Sequence, residues 1–134
     1  MDIQELAHGI LKEQPFSQHV GAELTSTGEK NAEISLDIID ELKQQHGFVH
    51  GGVLSYLADN SITFSGGIAL GGDALTSEFK INYIRPAKGE KLIARSIAES
   101  VGKRQAVCTS KIYAVDQGEE KLCAIAQGTV VDLT

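Results

Sequence analysis

The residues best suited to chemistry lie in one stretch, where the turn His50-Gly51-Gly52 leads into an apolar segment that contains Asp59. Backbone N–H groups at the start of a helix are unpaired and carry a partial positive charge, and glycines there let a ligand approach closely. The turn therefore predicts a site for an anion or an oxyanion. The alternative is that the glycines only let the turn pack tightly.

Asp59 is the second candidate, because a carboxylate in the middle of an apolar helix costs free energy unless it is paired or used. We interpret it as a functional residue. A structural role, in which Ser55, Asn60 or Thr63 caps the carboxylate, is the alternative.

The spacing of Gly51 and Asp59 predicts the assembly. Eight residues separate them along the sequence, which is about 12 Å along a helix that rises ~1.5 Å per residue. Asp59 therefore cannot act on a carbonyl held at the N-terminus of its own helix. Two helices antiparallel about a two-fold axis would place Asp59 of one beside Gly51 of the other. If the two residues cooperate, the protein is at least a dimer with two shared sites.

The elements that must position these residues follow from the hydrophobic periodicity. The central helix is apolar around more than half its circumference, and Ser55, Asp59 and Thr63 form a narrow polar line on the remaining flank. Short connectors between the later strands imply antiparallel neighbours. The pattern predicts an α+β fold in one domain, residues 1–134, with about six antiparallel strands facing one long helix. The predicted elements are a helix at 2–13, strands at 19–27 and 32–39, the central helix at 51–65 ending at Gly66-Gly67, and strands at 75–84, 91–100, 104–116 and 122–131.

Charge is distributed unevenly along the 134 residues, whose net charge is -6. Residues 80–104 carry seven Lys or Arg against two acidic residues, a net of +5, whereas residues 1–79 carry a net of -9. An acidic chain with one basic segment argues against a nucleic-acid partner and fits a small anionic ligand. The alternative is that lysines at strand edges discourage aggregation.

The remaining composition narrows the class of protein. No apolar run is long enough to cross a bilayer, and the N-terminus lacks the pattern of a signal peptide, so we expect a cytoplasmic protein without a membrane partner. Cys108 and Cys123 fall in strand-like segments and are interpreted as reduced core thiols, with a disulfide as the alternative. No Cys/His spacing suggests a metal site.

The stretch from His50 to Asp59 resembles the motif of the hotdog-fold acyl-CoA thioesterases, in particular the phenylacetate-pathway (PaaI-like) type. The likeness continues through Asn82-Tyr83-Ile84-Arg85-Pro86-Ala87 and Gly102-Lys103-Arg104, and it covers about residues 18–131. It implies the hotdog fold, a six-stranded sheet around the long helix, paired into dimers and often into dimers of dimers. It also implies an acyl-CoA substrate and no cofactor.

The resemblance assigns roles residue by residue. Asp59 corresponds to the acidic catalytic residue, which acts as general base on water or as nucleophile. The N–H of Gly51 corresponds to the donor that polarises the thioester carbonyl, and His50 helps to shape that turn. Gln44 matches an Asn or Gln that contacts the thioester region or water. Thr63, one turn after the acid, matches a Thr of the 4-hydroxybenzoyl-CoA branch.

Substrate-binding residues are expected at the glycine turn, on the following strand and in the basic segment. A Ser of the human-type branch corresponds to Thr76, so the chain combines features of different branches. The phosphates of coenzyme A suggest a role for basic residues at turns, and a glycine there lets the backbone approach the ligand. The expected residues are Gly52, Thr76, Arg85, Lys88, Gly102, Lys103 and Arg104.

Two other functions use the same fold. A non-catalytic acyl-CoA-binding module would need an output segment, and residues 1–18 are too short for a DNA-binding one. A hydratase or dehydratase would pair a His with an acid, and His46 and His50 keep this alternative open. The acyl group cannot be read from the sequence, because each aromatic residue can line a pocket or fill the core.

Overall fold

The computed structural model describes residues 2–134 and contains three α-helices and six strands in that range. The helices are α1 (Ile3–Glu13), α2 (Pro15–Val20) and α3 (Gly51–Leu70), and a short 3₁₀ turn spans Asp40–Leu42. The strands are β1 (Glu23–Thr27), β2 (Asn31–Asp37), β3 (Ala74–Tyr83), β4 (Lys91–Val101), β5 (Gln105–Asp116) and β6 (Glu119–Asp132).

The six strands form one sheet in the order β1-β2-β4-β5-β6-β3, with every neighbouring pair antiparallel. Alternating burial along β4 and β5 shows that one face is apolar, and α3 covers that face by contacting β2 to β6. The predicted α+β architecture, a six-stranded antiparallel sheet around one long helix, is confirmed.

Small residues let the sheet curve closely around α3. The buried face of the helix includes Ala58, Ser61, Ser65 and Gly66, and many of the buried residues of β4 to β6 are alanines. Buried hydroxyls are satisfied locally, since Ser61 Oγ lies 2.8 Å from Ser110 Oγ and also donates to the Ala58 carbonyl. Close packing of this kind fixes the helix relative to the strands.

Helix α3 is longer than the sequence predicts. The Gly66-Gly67 pair lies inside the helix, which ends at Leu70 and is capped by Gly71 in the left-handed conformation, with φ of 82°. Gly71 N–H donates to the Gly67 and Ile68 carbonyls. Gly66 allows close packing of the helix against the sheet, because a Cβ at this position would lie 2.7 Å from the Val130 side chain. The predicted end at Gly66-Gly67 is therefore wrong.

Helix α2 is absent from the sequence prediction, which placed a strand at 19–27. In the sequence pattern, Pro15 indicates only the end of the first helix. In the structure Pro15 is also the first residue of α2, because the first turn of a helix tolerates proline. Gly21 closes it in the left-handed conformation with φ of 76°. The strand is accordingly shorter and begins at Glu23.

Strand β3 forms an edge of the sheet and pairs only with β6 among residues 2–134. It is 10 residues long, and its outer edge is uncovered by any other strand of this range. None of the helices in residues 2–134 combines the length and hydropathy needed to span a bilayer.

Candidate active site

The N-terminus of α3 is organised by His50, which is its N-cap. The Nδ1 atom of His50 accepts a hydrogen bond of 2.8 Å from Gly52 N–H, so the ring proton of the neutral imidazole is on Nε2. Val53 N–H donates to the His50 carbonyl. The N–H of Gly51 has no acceptor among residues 2–134, which leaves it as the free donor of the turn.

The N–H of Gly52 is occupied within the turn. Because it donates to His50 Nδ1, it is not a second free donor, and substrate binding by Gly52 stays a prediction that rests on the absence of a Cβ there.

Gln44 holds the loop that leads into this turn. Its side-chain oxygen accepts a hydrogen bond from His46 N–H, and its own N–H donates to the Phe48 carbonyl at 2.8 Å. Gln44 also lines a cavity of about 320 Å³ together with Gly51, Tyr83 and Arg85. The fold therefore brings Gln44, Gly51 and Arg85 to the same cavity.

Tyr83 covers the glycine turn. Its hydroxyl lies 2.6 Å from Ser55 Oγ and donates to the Gly51 carbonyl at 3.2 Å. The sequence singled out Tyr83 only as part of a motif and as a general aromatic residue. The alternation of β3 could have indicated that its side chain points toward the helix, but nothing in the sequence specifies the Ser55 contact.

The polar line on α3 lies along the edge strand β3. Ser55 meets Tyr83 at one end of that strand, and Thr63 meets Thr76 near the other, with 2.5 Å between the two threonine Oγ1 atoms. Asp59 lies between these two contacts. Its carboxylate has no hydrogen bond or ion pair with another side chain in residues 2–134.

The two threonines also define the direction of their hydrogen bonds. Thr63 Oγ1 donates its one proton to the Asp59 backbone carbonyl at 2.9 Å, so Thr76 must be the donor in the bond between the hydroxyls. The Thr63 proton is thus used by the helix backbone. The hydroxyl can still accept a hydrogen bond from water, but it cannot donate one in this arrangement.

Asp59, Thr63 and Thr76 line a second cavity, of about 300 Å³. Helix α1 supplies its opposite wall with Leu6 and Ile10. Asp59 is half-buried and lines this cavity, from which its side chain is accessible.

A network of polar side chains closes one side of this second cavity and ties α2 to α3. Gln14 Oε1 accepts from Ser17 Oγ at 2.6 Å and from Asn60 Nδ2 at 3.0 Å, and Tyr56 Oη contacts both Ser17 and Asn60. Burial raises the pKa of the Tyr56 hydroxyl, while its hydrogen bonds to Ser17 and Asn60 lower it by less. Tyr56 therefore remains protonated at neutral pH.

Within one chain, the two halves of the predicted site are separate. The free N–H of Gly51 borders one cavity and the carboxylate of Asp59 borders the other.

The basic segment is likewise divided. Arg85 and Lys88 precede β4, whereas Lys103 and Arg104 follow it with Gly102. The strand has 11 residues, so at ~3.3 Å per residue its ends are roughly 33 Å apart. One ligand therefore cannot contact the basic residues at both ends of β4 in a single chain.

Two cations in the middle of the segment are used structurally. Lys91 pairs with Asp37 at 3.2 Å, and Arg95 bonds Glu33 and Glu120 at 2.8 and 2.7 Å. The guanidinium of Arg95 holds the pKa of the Glu120 carboxyl below its usual range. Both residues lie on β4, an interior strand of the sheet, so their observed role is ion pairing with other strands of the sheet.

The cysteines are buried and free, and burial raises the pKa of both the Cys108 and the Cys123 thiols. Among residues 2–134, no group of three or more His, Cys, Asp or Glu side chains is placed to hold a metal ion.

Comparison with known proteins agrees with this architecture. A crystal structure of a thioesterase family protein from Silicibacter pomeroyi is 28% identical, covers 96% of each chain and superposes with a TM-score of 0.92. The Escherichia coli PaaI protein of the phenylacetic acid degradation operon is 23% identical over 98% of this chain and 94% of its own, with a TM-score of 0.88. The fold is therefore the hotdog fold.

The sequence comparisons identify the superfamily. The 1,4-dihydroxy-2-naphthoyl-CoA hydrolase of Listeria monocytogenes is 23% identical over 108 residues, which are 81% of this chain and 88% of the relative. Residues 46–121 match the family model of the Thioesterase superfamily, and this range includes Gly51, Asp59 and β3. The prediction of a thioester hydrolase is confirmed at this level, and the chain belongs to the thioesterase superfamily.

Proposed function

We propose that the protein is an acyl-CoA thioesterase that hydrolyses the thioester of an acyl-CoA to the free acid and coenzyme A. The observation that carries the proposal is the carboxylate of Asp59, which has no side-chain partner in residues 2–134 and borders a cavity with Thr63 and Thr76. Membership of the thioesterase superfamily supports thioester chemistry, and the coenzyme A hydrolase among the relatives supports a CoA thioester as substrate.

The active unit is a homodimer formed through the edge strands β3. An uncovered edge presents unpaired N–H and C=O groups that readily bond a second strand. Two β3 strands antiparallel about a two-fold axis bring the Thr76 end of one beside the Tyr83 end of the other. Asp59 of one subunit then faces the free N–H of Gly51 of the partner subunit, which completes each of two sites.

The chemistry follows from these groups. Gly51 N–H donates to the thioester carbonyl oxygen and stabilises the negative charge that develops on it. Asp59 accepts a proton from a water that attacks the carbonyl carbon, forming a tetrahedral intermediate. The intermediate collapses, the C–S bond breaks, and the thiolate leaves and takes up a proton. In the nucleophilic alternative, an Asp59 oxygen attacks first, and water cleaves the resulting anhydride.

The supporting residues have distinct tasks. Gln44 shapes the loop before the turn, and its amide group faces the cavity that holds the carbonyl. The Thr76–Thr63 pair fixes the helix turn that carries Asp59 and offers an acceptor to the attacking water.

In such a dimer the divided basic residues meet. Arg85 and Lys88 follow Tyr83 along the chain, so they lie near one end of β3. Lys103 and Arg104 precede the β5 residues that pair, through β6, with the level of Thr76, so they lie near its other end. In the antiparallel dimer, the first pair of one subunit therefore lies toward the second pair of the partner subunit. Phosphates of coenzyme A bind there, and Gly102 lets the backbone approach.

The test is release of free thiol from a panel of acyl-CoA thioesters by the wild-type protein and by Asp59→Asn and Asp59→Ala. Loss of a general base lowers turnover by about 10²- to 10⁴-fold, and circular dichroism checks that the fold is retained. Asp37→Asn, which alters an exposed carboxylate paired with Lys91, is the matched control and should keep wild-type turnover.

Full activity in Asp59→Ala would contradict the assignment. Tight binding of acyl-CoA by the wild-type protein without any thiol release would favour the non-catalytic binding module, and water addition to an enoyl-CoA would favour the hydratase.

A further inference from the structure

We propose that the cavity beside Asp59 binds an unsubstituted aliphatic acyl chain of medium length, and that helix α1 determines which chain lengths are accepted. This proposal rests on the proposed function, because it takes the thioester carbonyl to lie at Asp59.

The first observation is the exposure of apolar side chains on α1. The helix buries Ala7 and Leu11 in the core, yet Leu6 is 43% and Ile10 37% exposed, and both line this cavity. Leu75 on β3 lies across from them and is 60% exposed. Exposed aliphatic groups around a concave surface favour an apolar occupant, since covering them removes apolar area from water.

The second observation is the direction of the cavity. Asp59, Thr63 and Thr76 lie at one part of its wall, and the rest of the apolar wall comes from α1, from Leu75 and from the C-terminal half of α3. A thioester whose carbonyl is held at Asp59 therefore directs its acyl group between α1 and α3.

The third observation separates an aliphatic from an aryl group. Phe64 is the single aromatic side chain among the described residues that line the cavity, and the other apolar ones are Ile3, Leu6, Ala7, Ile10, Ile68, Ala74 and Leu75. The polar groups that remain, Gln14 and Asn60, already bond each other at 3.0 Å. Gln14 Nε2 and Asn60 Oδ1 remain at one side of the cavity. Among the described residues, however, the wall built by α1, Ile68 and Leu75 offers no polar side chain to the hydroxyl of a hydroxyaryl group, and burying that hydroxyl unpaired there is unfavourable.

The volume sets the length. The cavity measures about 300 Å³, and a dry cavity of about 150 Å³ holds one benzene ring, so a chain of roughly eight to twelve carbons fits. The α1 helix is held from its other faces, since Thr27 Oγ1 donates to Gln4 and the Gln14 network fixes its C-terminal end. Leu6 therefore presents a fixed wall to the chain.

The experiment measures kcat/KM on straight-chain thioesters from acetyl-CoA to dodecanoyl-CoA, and on benzoyl-, phenylacetyl- and 4-hydroxybenzoyl-CoA. For the wild-type protein we expect kcat/KM to rise by up to about fourfold for each added methylene until the cavity is full. In Leu6→Trp, which fills the cavity, the values for octanoyl-CoA and longer chains should fall by about tenfold or more while acetyl-CoA changes by less than about twofold. Ile10→Trp should act in the same direction.

Ile39→Trp is the matched control, because Ile39 is 45% exposed and lines neither this cavity nor the one at Gly51. Its chain-length profile should remain that of the wild-type protein. A preference of the wild-type protein for the aryl thioesters, or an equal loss for all chain lengths in Leu6→Trp, would overturn the inference while leaving hydrolysis intact. A Leu6→Trp protein that changes its oligomeric mass would also overturn it, by indicating that a partner subunit fills the cavity.

Binding of S-alkyl-CoA thioethers, measured by calorimetry, separates this inference from the proposed function. If no thioester is hydrolysed but octyl-CoA binds more tightly than methyl-CoA, and Leu6→Trp removes that difference, the cavity assignment stands and the hydrolysis fails. Equal binding of the two thioethers would overturn the cavity assignment.

Discussion

At the scale of single residues, the glycine turn separates two glycines that look equivalent in the sequence. Gly52 N–H is bonded to His50 Nδ1, whereas Gly51 N–H has no acceptor among residues 2–134. Between the two glycines, therefore, only Gly51 has an N–H that is free in the described part of the chain, and it is the one that the proposed mechanism uses. Gly52→Ala would test little, because a Cβ there would lie 2.9 Å from the His50 ring and would disturb the cap.

Gly51→Ala is a cleaner probe of the donor. A Cβ on Gly51 would lie 3.5 Å from the Tyr83 ring, an ordinary van der Waals distance, and Gly51 is not among the residues with positive φ. The variant should fold with an unchanged melting temperature, but its methyl group would crowd the carbonyl oxygen. Alanine keeps the N–H, but because the methyl group holds the carbonyl oxygen away from it, we expect kcat/KM for the best thioester to fall by about 10²-fold, as for loss of an oxyanion donor.

Gly9→Ala is the control for this variant, since a Cβ at Gly9 meets nothing within 4 Å. It should keep full activity and gain a little stability, because alanine is favoured over glycine within a helix. Wild-type kcat/KM in Gly51→Ala would show that close approach to this N–H is not needed.

The sequence predicted these single residues unevenly, for physical reasons. The charge of Asp59 in an apolar helix and the glycines before it are visible in one dimension, because each violates the local pattern. The Tyr83–Ser55 contact and the Thr76–Thr63 bond join residues 28 and 13 positions apart. Such contacts depend on how β3 lies against α3, which residue patterns do not specify.

At the scale of elements, the length of α3 depends on Gly66 as a packing residue. Two adjacent glycines predict a helix end when only backbone freedom is considered. In the structure the helix continues for four residues past Gly66, to Leu70. Residue 66 is a glycine because Val130 approaches too closely for a side chain there. The strands could be predicted because a sheet with one buried face gives alternating burial, whereas the role of Gly66 depends on a contact with Val130, which is distant in the sequence.

Gly66→Ala should therefore destabilise the protein. A Cβ there would lie 2.7 Å from Val130 Cβ and Cγ2, and overpacking a close-packed core costs about 1–3 kcal/mol. Urea unfolding followed by circular dichroism measures the change in the free energy of unfolding. Val130→Ala should offset part of the loss in the double variant, since it makes room for the added methyl group.

Gly67→Ala is the matched control on the neighbouring residue. Its Cβ would lie 3.5 Å from the Gly72 carbonyl oxygen and 3.7 Å from Ala74 Cβ, so it should be neutral or stabilising by about 0.5–1 kcal/mol. Equal destabilisation by Gly66→Ala and Gly67→Ala would indicate that helix ends, rather than contact with Val130, govern this region.

At the scale of the whole molecule, the groups with unused chemistry are divided within one chain. The free N–H of Gly51 and the free carboxylate of Asp59 border different cavities of one chain, and the basic residues are divided between the ends of β4. The proposed pairing of β3 with β3 would bring each half beside its complement. The uneven charge along the sequence predicted an anionic ligand. Only the folded structure shows that the basic residues of one chain are too far apart to bind one ligand together.

A mixing experiment distinguishes a shared site from a site within one chain. Asp59→Asn and Gly51→Val proteins should each be nearly inactive as homodimers. In a heterodimer of the two, one site carries both changes, and the other combines an intact Asp59 with an intact Gly51 from opposite subunits. Equal amounts, mixed after dissociation and allowed to reassociate, give heterodimers as half of the dimers, so about a quarter of wild-type activity should return.

If each site instead used Asp59 and Gly51 of the same chain, every site in the mixture would carry one change and no activity would return. Light scattering is measured in parallel and should give at least twice the 14.3 kDa of one chain, because an active monomer would exclude the shared site. The control mixture, Asp59→Asn with Asp59→Ala, should stay inactive at any ratio, since neither subunit supplies the carboxylate. Recovery in the first mixture alone would establish that Asp59 and Gly51 act across the subunit boundary.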